Sequence, residues 1–178
     1  MQEFQKLNWI RKFLGLLLAL AIVFEKRCRF RPAFLGLIVS GLGIRIWAAG
    51  SINKNADLAV KGPYSLTRNP LYFGSFLLGT GFAGLVLPLP GLIASSIVFP
   101  LIYWPKMLQE ERDLERFFPD SFEEYRQRVP LFFPRICGYI RGEFSLKKAL
   151  CSNREYNSAL AALLLLLIIR WKRRDQSA

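Results

Sequence analysis

The residues that could do chemistry begin in one compact polar stretch, residues 61–75, which reads KGPYSLTRNPLYFGS. Asn69 followed by Pro70 is typical of a helix start, because asparagine is a strong cap and proline suits the first helical position. A helix start also presents free backbone N–H groups and a positive dipole end. With Arg68 beside it, the stretch predicts a site for a carboxylate or a phosphate.

A turn precedes this helix start. Gly62 and Pro63 predict a sharp change of chain direction, and Tyr64 follows directly. Glycine lacks a Cβ atom, so the backbone at such a turn can approach a ligand closely. The end of the polar stretch overlaps the start of the longest uncharged run of the chain, residues 71–105.

A pair of acids, Glu110 and Glu111, follows that uncharged run. Paired acids on an interfacial helix are usually a solvated face. Their functional interpretation is the attraction of a cation, or hydrogen bonding to ribose hydroxyls and an amino group. Both interpretations stay open on the sequence of this pair alone.

Three residues inside a hydrophobic segment have two interpretations each. Arg45 lies about one and a half turns from a helix end, so its side chain can extend to the membrane interface. It can also belong to a functional site, because charged residues at membrane depth are functional candidates. Gly41 and Gly43 would allow close helix packing or leave room for a ligand, and packing is the favoured interpretation.

Composition excludes several classes of function. The chain contains no histidine, which rules out histidine-based acid–base catalysis, histidine-ligated metals and Ser-His triads. Its three cysteines, at 28, 137 and 151, are far apart and predict neither a metal site nor a disulfide framework. The formal net charge is +12. Because the basic residues collect beside hydrophobic segments, we expect membrane flanks and anionic lipid contacts, and no nucleic-acid binding.

The elements that must position these residues are hydrophobic helices. Apolar residues make up 52% of the 178-residue chain and fall in blocks. The uncharged run is long enough for two crossings of a hydrocarbon core at about 20 residues each. The sequence therefore predicts an all-α integral membrane protein with about five transmembrane helices, at residues 9–24, 33–50, 70–87, 92–104 and 158–169.

Residues 106–157 form a polar segment between the last two predicted helices. The sequence shows a recurrence at helical spacing of Leu108, Glu111, Leu114 and Phe118, so we expect the fourth helix to continue out of the membrane as an amphipathic helix. A second short amphipathic helix follows, and Pro130 ends it. Its apolar stripe consists of Phe118, Phe122, Tyr125 and Val129.

A predicted tight turn at residues 88–91, which read PLPG, brings the two polar stretches together. The third and fourth helices must cross and return, so residues 51–69 and the 106–157 segment lie on one face of the membrane. Their basic residues predict that this face is cytoplasmic. Five crossings would then place the basic stretches at 26–31 and 170–174 on the other side, against the positive-inside rule.

These motifs together resemble the isoprenylcysteine carboxyl methyltransferase and phospholipid methyltransferase superfamily. The resemblance covers residues 36–134 and rests on GPYSLTRNPLYFGS, the uncharged hairpin and QEERDLERFFPDSFEEYRQRVPLFFP. It implies an integral-membrane enzyme that uses S-adenosylmethionine. Phe118, Phe122 and Tyr125 match aromatic positions of the family, and Gly41 and Gly43 match a Gly-x-Gly motif more loosely.

The resemblance also implies roles for individual residues. It assigns catalysis to Arg68, Asn69, Tyr72 and Glu110, and cofactor binding to Gly62, Pro63, Tyr64, Arg68, Asn69, Pro70, Glu110 and Glu111. This chain departs from the family pattern at Asn69, where the usual residue is histidine. Asparagine cannot shuttle a proton at neutral pH. Methylation of a carboxylate needs no base, whereas an amine must lose a proton, to Glu110, Glu111 or Tyr72.

The expected function is methylation of a lipophilic or lipidated acceptor, most simply carboxyl O-methylation of an isoprenylcysteine-like substrate. The alternatives are a phospholipid or lipid-amine N-methyltransferase and a non-catalytic membrane scaffold. We expect N-terminal membrane helices at 1–50, a methyltransferase core at 51–135 and a C-terminal segment at 136–178. The expected location is a bacterial inner membrane, among membrane lipids, with the site facing the cytoplasm. The acceptor and the oligomeric state stay open.

Overall fold

The computed structural model describes residues 17, 20–25, 30–52, 58–152 and 155–177. Within these residues all regular structure is helical and no strand occurs, which confirms the all-helical part of the predicted fold class. Short helical turns lie at Pro32–Phe34, Gly62–Ser65 and Lys148–Ser152. Beside the helical residues 20–24, the α-helices in these ranges are α1 (Leu35–Ser51), α2 (Pro70–Val86), α3 (Leu89–Phe117), α4 (Pro119–Arg128) and α5 (Tyr156–Ser177).

The predicted continuation of the fourth helix as an amphipathic helix is confirmed, because α3 is one continuous helix of 29 residues. The other predicted helix positions hold with two differences. α5 continues well past its predicted end at residue 169. The predicted turn at 88–91 is wrong in extent: α3 already begins at Leu89, since Pro90 needs no hydrogen-bond partner in a first helical turn. Of the predicted first segment, residues 20–24 are helical, and most of the rest lies outside the described residues.

Glycines let α1 and α2 pack closely and antiparallel. A Cβ atom at Gly41 would lie 2.7 Å from the carbonyl oxygen of Gly74, and one at Gly81 would lie 2.7 Å from Ile38. This agrees with the packing interpretation of Gly41. At Gly43 a Cβ atom would meet no described atom within 4 Å, so this glycine is not part of the contact. Close backbone approach of small residues is the usual way in which membrane helices associate.

Two helical stretches, Pro32–Ser51 and Leu89–Phe117, are long and apolar enough to cross a membrane. Almost none of the apolar part of α3 is buried, whereas the core helix of a soluble protein is mostly buried. Its outward face exposes Leu89, Ile93, Ile97, Val98, Leu101 and Trp104. α2 is also apolar but shorter. These features indicate a helical membrane protein, and the number of crossings stays a prediction.

Arg45 joins α1, α2 and the start of α5. Its guanidinium donates to both carboxylate oxygens of Glu155, at 3.0 and 2.9 Å. It also donates to the Ser158 hydroxyl at 3.1 Å, to the Leu71 carbonyl at 3.3 Å and to the Ser75 hydroxyl. Arg45 does not line the cavity described below, and its side chain bridges three helices. Its extension to the membrane interface stays a prediction.

The far end of α5 contacts the N-terminal part of the chain. Lys172 Nζ donates to the carbonyl oxygens of Val23 and Glu25, at the end of helical residues 20–24. Arg173 lies over the ring of Phe30, 4.8 Å from its centroid. Since Glu155 binds Arg45 at the other end, α5 runs the length of the α1–α2 pair.

Candidate active site

The turn before α2 is built from Gly62 to Ser65. Gly62 has φ of +62°, a left-handed conformation that a side chain would strain. The Ser65 hydroxyl donates to the Gly62 carbonyl at 2.7 Å, and the Gly62 N–H donates to the Ile140 carbonyl at 2.8 Å. Both backbone polar groups of Gly62 therefore form hydrogen bonds that stabilise the turn. Gly62 and Pro63 are buried and do not line the cavity described below.

Pro70 occupies the first position of α2, as the sequence predicts, and Asn69 lies in the N-cap position. The prediction that the Asn69 side chain caps the helix is wrong, because in the described part of the chain it makes no capping hydrogen bond. Its amide donates instead to the Leu131 carbonyl at 3.1 Å. Thr67 binds the same loop through the Phe132 carbonyl at 2.9 Å. The two side chains tie the start of α2 to the chain that follows α4.

Arg68 and Glu111 form a largely buried ion pair, with Nε and Oε1 2.8 Å apart. The contact lacks the alignment of a hydrogen bond, so both atoms keep unused hydrogen-bonding capacity among the described residues. Arg68 also donates to the Arg126 carbonyl at 3.1 Å. The arginine predicted to hold an anion therefore already faces one carboxylate, and the first polar stretch meets the second as the hairpin argument predicts.

Glu110 forms a second contact between the two polar stretches. The Tyr72 hydroxyl donates to Glu110 Oε1 at 2.7 Å, and Lys106 Nζ lies 3.5 Å from the same oxygen. The ring of Tyr72 packs against Tyr103, with 5.5 Å between centroids. Neighbouring glutamates thus have different partners, because successive residues of a helix face different directions.

Helix α4 covers the site through a tyrosine contact. The Tyr125 hydroxyl donates to the Tyr64 carbonyl at 2.7 Å, and both side chains are buried. Burial raises the pKa of Tyr64, and the charges of Glu110 and Glu155 raise it further. Burial likewise raises the pKa of Tyr125, with a further increase from Tyr64 that Arg68 partly offsets. Both phenols are therefore neutral at physiological pH.

These side chains line one cavity of about 770 Å³ between the start of α2, the polar end of α3 and α4. The sequence-predicted site residues that line it are Tyr64, Arg68, Asn69, Pro70, Tyr72, Glu110 and Glu111, together with Phe118, Phe122 and Tyr125. Sequence reasoning missed Asp113 and Phe117, which also line it. The signal was available, because residues 110, 113, 114 and 117 follow helical spacing and share one face of α3. Ile52, Leu58 and Ala59 were missed too, with no comparable signal.

The cavity fits a ligand of the size and polarity of S-adenosylmethionine. Its volume lies within the range of roughly 300–1,000 Å³ that is usual for small-molecule sites. Tyr64 Oη is buried without a hydrogen bond to any described residue, and Arg68 Nε and Glu111 Oε1 meet as an ion pair that lacks hydrogen-bond alignment. These three atoms keep hydrogen-bonding capacity, so they are the ones expected to bind when the cavity fills.

Fold and site together indicate a helical protein of membrane type, with a partly enclosed cavity, lined by apolar and charged side chains, at the ends of two apolar helices. No protein-family profile matches the chain, and no solved structure matches it. Three characterised proteins are similar to it over part of its length.

The cobalt-zinc-cadmium resistance protein CzcN of Cupriavidus metallidurans is 39% identical over 111 residues, which are 61% of this chain and 50% of CzcN. The nickel-cobalt-cadmium resistance protein NccN of Alcaligenes xylosoxydans xylosoxydans is 36% identical over 57% of this chain and 48% of NccN. The protein-S-isoprenylcysteine O-methyltransferase of Schizosaccharomyces pombe is 32% identical over 56% of this chain and 42% of its own. The chain thus spans about half the length of the relatives that it matches, and its similarity to a methyltransferase is distant.

Proposed function

We propose that this chain is an integral-membrane methyltransferase that uses S-adenosylmethionine and acts on a lipophilic acceptor. The observation that carries the proposal is the cavity, in which residues from 64–72 and from 110–125 meet around one space of about 770 Å³. The distant similarity to an isoprenylcysteine O-methyltransferase supports the reaction class. Carboxyl O-methylation is the reaction that we favour.

The polar groups of the cavity suit an amino-acid moiety. Arg68 and Glu111 present a positive and a negative group side by side, which matches the carboxylate and ammonium of such a ligand. Glu110 and Asp113 add negative charge along the same helix face, which favours a cationic ligand. Phe117, Phe118 and Phe122 offer apolar surface to a planar ring.

Bound S-adenosylmethionine supplies a methyl group on a positively charged sulfur. The chain then has to orient an acceptor and to exclude water, which is a large share of the rate gain in such displacements. α4 covers the cavity through Tyr125, and the buried phenols of Tyr64 and Tyr125 stay protonated. A carboxylate acceptor arrives ionised, so this site needs no general base for O-methylation.

A row of aromatic rings supports a lipophilic acceptor. Tyr72 contacts Tyr103, which stacks on Phe99 with 4.3 Å between centroids, and Phe99 contacts Phe76 at 5.8 Å. The row leads from the hydroxyl beside Glu110 into the apolar part of α2 and α3. We propose that the acceptor enters from the lipid along this row, with its reacting group at the polar end.

We place the protein in a bacterial inner membrane, crossed by about five helices, with the cavity on the cytoplasmic side. Two relatives are bacterial proteins, which supports the first part of the placement. Arg68, Arg126, Arg128 and Arg135 lie on or near the loops at the cavity end, which supports the orientation by the positive-inside rule.

The decisive experiment measures transfer of a radiolabelled methyl group from S-adenosylmethionine by the reconstituted protein. The acceptor panel contains prenylcysteine carboxylates, fatty acids and aminophospholipids. O-methylation predicts a base-labile product that releases methanol, whereas the lipid-amine alternative predicts a base-stable methyl group. Glu110→Ala is expected to lower the rate at least tenfold, and Glu123→Ala, a control on the exposed face of α4, is expected to leave it unchanged.

Binding of the cofactor separates both enzymes from a non-catalytic scaffold. Calorimetry with S-adenosylmethionine is expected to show binding that Arg68→Ala and Glu110→Ala weaken. If the wild-type protein bound no S-adenosylmethionine, the enzyme proposal would be wrong and the scaffold favoured.

A second candidate function is a part in metal resistance, because two relatives are named for resistance to cobalt and cadmium. The test compares growth of strains with and without the gene over a series of cobalt, zinc, cadmium and nickel concentrations. Complementation with wild type and with Glu110→Ala shows whether any resistance depends on the cavity. Equal growth of all strains would remove this candidate and leave methyl transfer untouched.

A further inference from the structure

The segment after α4 exposes an unusual amount of apolar surface. We call residues 133–147 the interfacial strip. Its large apolar side chains leave from nearly half to most of their surface exposed: Phe133 67%, Ile136 85%, Tyr139 51%, Ile140 44%, Phe144 50% and Leu146 55%. Scattered exposed apolar residues are normal, but a continuous patch marks a surface that another phase or partner covers.

The backbone of the strip is fixed to the rest of the protein. The Arg135 N–H donates to the Leu66 carbonyl at 2.9 Å, and the Ser145 N–H donates to the Gly50 carbonyl at 3.0 Å. Between them, Ile140 accepts from the Gly62 N–H at 2.8 Å. Because the chain is held at three places, its position on the protein is fixed. The rings of Phe133 and Phe144 contact Phe73 and Gly50 and still keep half or more of their surface exposed.

The strip lies at the level where the helices leave the apolar layer. At one end, Phe133 contacts Phe73 in the first turn of α2, with 6.5 Å between ring centroids. At the other end, Ser145 binds Gly50, one residue before the end of α1. α1 and α2 are antiparallel, so both attachment points mark the same end of the helix pair. This is also the end that carries the cavity.

The charge of the strip indicates which partner covers this surface. Arg135, Arg141 and Lys147 alternate with the apolar residues, against the single acid Glu143. A surface that combines large apolar side chains with arginine and lysine matches the headgroup region of an anionic bilayer. A second copy of the chain would instead bring the same positive charges together.

We propose that the interfacial strip lies in the headgroup region of the membrane leaflet on the cavity side, with its apolar side chains among the acyl chains and its basic residues on anionic lipid phosphates. The strip would then hold the Gly62–Ser65 turn, and with it the wall of the cavity, at the membrane surface. The proposal rests on the membrane location of α1 and α3 and not on methyl transfer.

A native residue provides the probe, because Cys137 lies in the strip and is exposed. The full-length protein with Cys28→Ser and Cys151→Ser carries a nitroxide spin label at Cys137 only. It is reconstituted in vesicles of phosphatidylcholine with about 30% phosphatidylglycerol. Power saturation then compares collisions of the label with oxygen, which concentrates in lipid, and with a water-soluble nickel chelate. The control adds Cys137→Ser and places the label at Gln127→Cys, on the exposed face of α4.

The expected result is at least a threefold higher oxygen-to-nickel collision ratio at Cys137 than at Gln127→Cys. Charge neutralisation by Arg135→Gln with Arg141→Gln is expected to lower the ratio at Cys137 in the anionic vesicles and to leave it unchanged in pure phosphatidylcholine. Unfolding temperatures of the labelled variants within about two degrees of wild type show that the fold is intact.

Two results would overturn the proposal. An aqueous ratio at Cys137, equal to that at Gln127→Cys, would show that the strip faces water. Protection from both oxygen and nickel, with dipolar coupling between labels on two chains, would show that a second copy covers it. Neither readout involves methyl transfer, so failure here and failure of the proposed enzyme activity are separate outcomes.

Discussion

At the scale of single residues, the adjacent acids Glu110 and Glu111 differ in what holds them. Glu111 pairs with Arg68 and both side chains are nearly buried, whereas Glu110 is 43% exposed and binds the Tyr72 hydroxyl. Removing one member of a buried pair leaves a charge without compensation, which costs about 3 kcal/mol, and an exposed pair contributes about 1 kcal/mol or less. Glu111→Ala is therefore expected to lower the free energy of unfolding by about 3 kcal/mol, and Glu110→Ala by about 1 kcal/mol or less.

Thermal unfolding in detergent, followed by circular dichroism, measures both variants under one condition. Glu124→Ala is the control, since Glu124 pairs with Arg128 on an exposed surface. Equal losses for Glu110→Ala and Glu111→Ala would mean that the Arg68 contact contributes nothing beyond an exposed ion pair.

The buried phenols predict how the protein responds to alkaline pH. The pKa values of Tyr64 and Tyr125 are raised in the folded state, so both stay neutral when an unfolded chain already ionises its tyrosines near pH 10. Their contribution to stability is complete below pH 10 and is lost as the pH rises above that value. We expect Tyr64 and Tyr125 to titrate late in ultraviolet absorbance at 295 nm. Tyr64→Phe and Tyr125→Phe should each remove only absorbance change that occurs at the highest pH values. If either variant lost absorbance change near pH 10, the burial argument would be wrong.

At the scale of elements, the contact between α1 and α2 depends on particular glycines. A Cβ atom at Gly41 would lie 2.7 Å from the Gly74 carbonyl oxygen and 2.9 Å from the Leu78 nitrogen, both backbone atoms that cannot move aside alone. Gly41→Ala is expected to destabilise the protein by about 1–3 kcal/mol, as overpacking does. Gly43→Ala is the matched control, because no described atom lies within 4 Å of its Cβ position, and it should be neutral or stabilising by up to about 1 kcal/mol. Unfolding temperatures in detergent compare the two variants. If only Gly43→Ala lowered the unfolding temperature, Gly43 and not Gly41 would be the glycine that the helix contact requires.

Sequence alone predicted the elements that hydrophobic blocks determine. The uncharged run predicted the α2–α3 hairpin. The hairpin in turn predicted that residues 68–72 lie close to Glu110 and Glu111, as they do. Side-chain partners were less predictable. The amide of Asn69 binds Leu131, which is distant in sequence, and a capping preference is too weak to exclude such a partner. Arg45 pairs with Glu155 across 110 positions, a contact that no local pattern encodes.

At the scale of the whole molecule, α5 is fastened at both ends. Glu155 and Ser158 bind Arg45 near the cavity end of α1, and Lys172 binds the carbonyls that close the helical residues 20–24. Between these points α5 contributes Ala162 and Ile169 to the core formed with α2. Helix α5 is thus part of the helix bundle, and none of its described residues lines the cavity.

This arrangement predicts that the Arg45–Glu155 pair holds the start of α5 in place. Both carboxylate oxygens of Glu155 are bound, and the side chains of Arg45 and Glu155 are only 19% and 8% exposed. Glu155→Ala is expected to cost about 3 kcal/mol, because it leaves the guanidinium without its carboxylate among nearly buried groups. Hydrogen exchange should accelerate in the first turns of α5, while exchange in α4 stays as in wild type. The control Glu124→Ala, on an exposed pair with Arg128, is expected to cost less than about 1 kcal/mol. If Glu155→Ala cost no more than this control, α5 would depend on its apolar contacts alone, and the buried pair would have no part in fastening it.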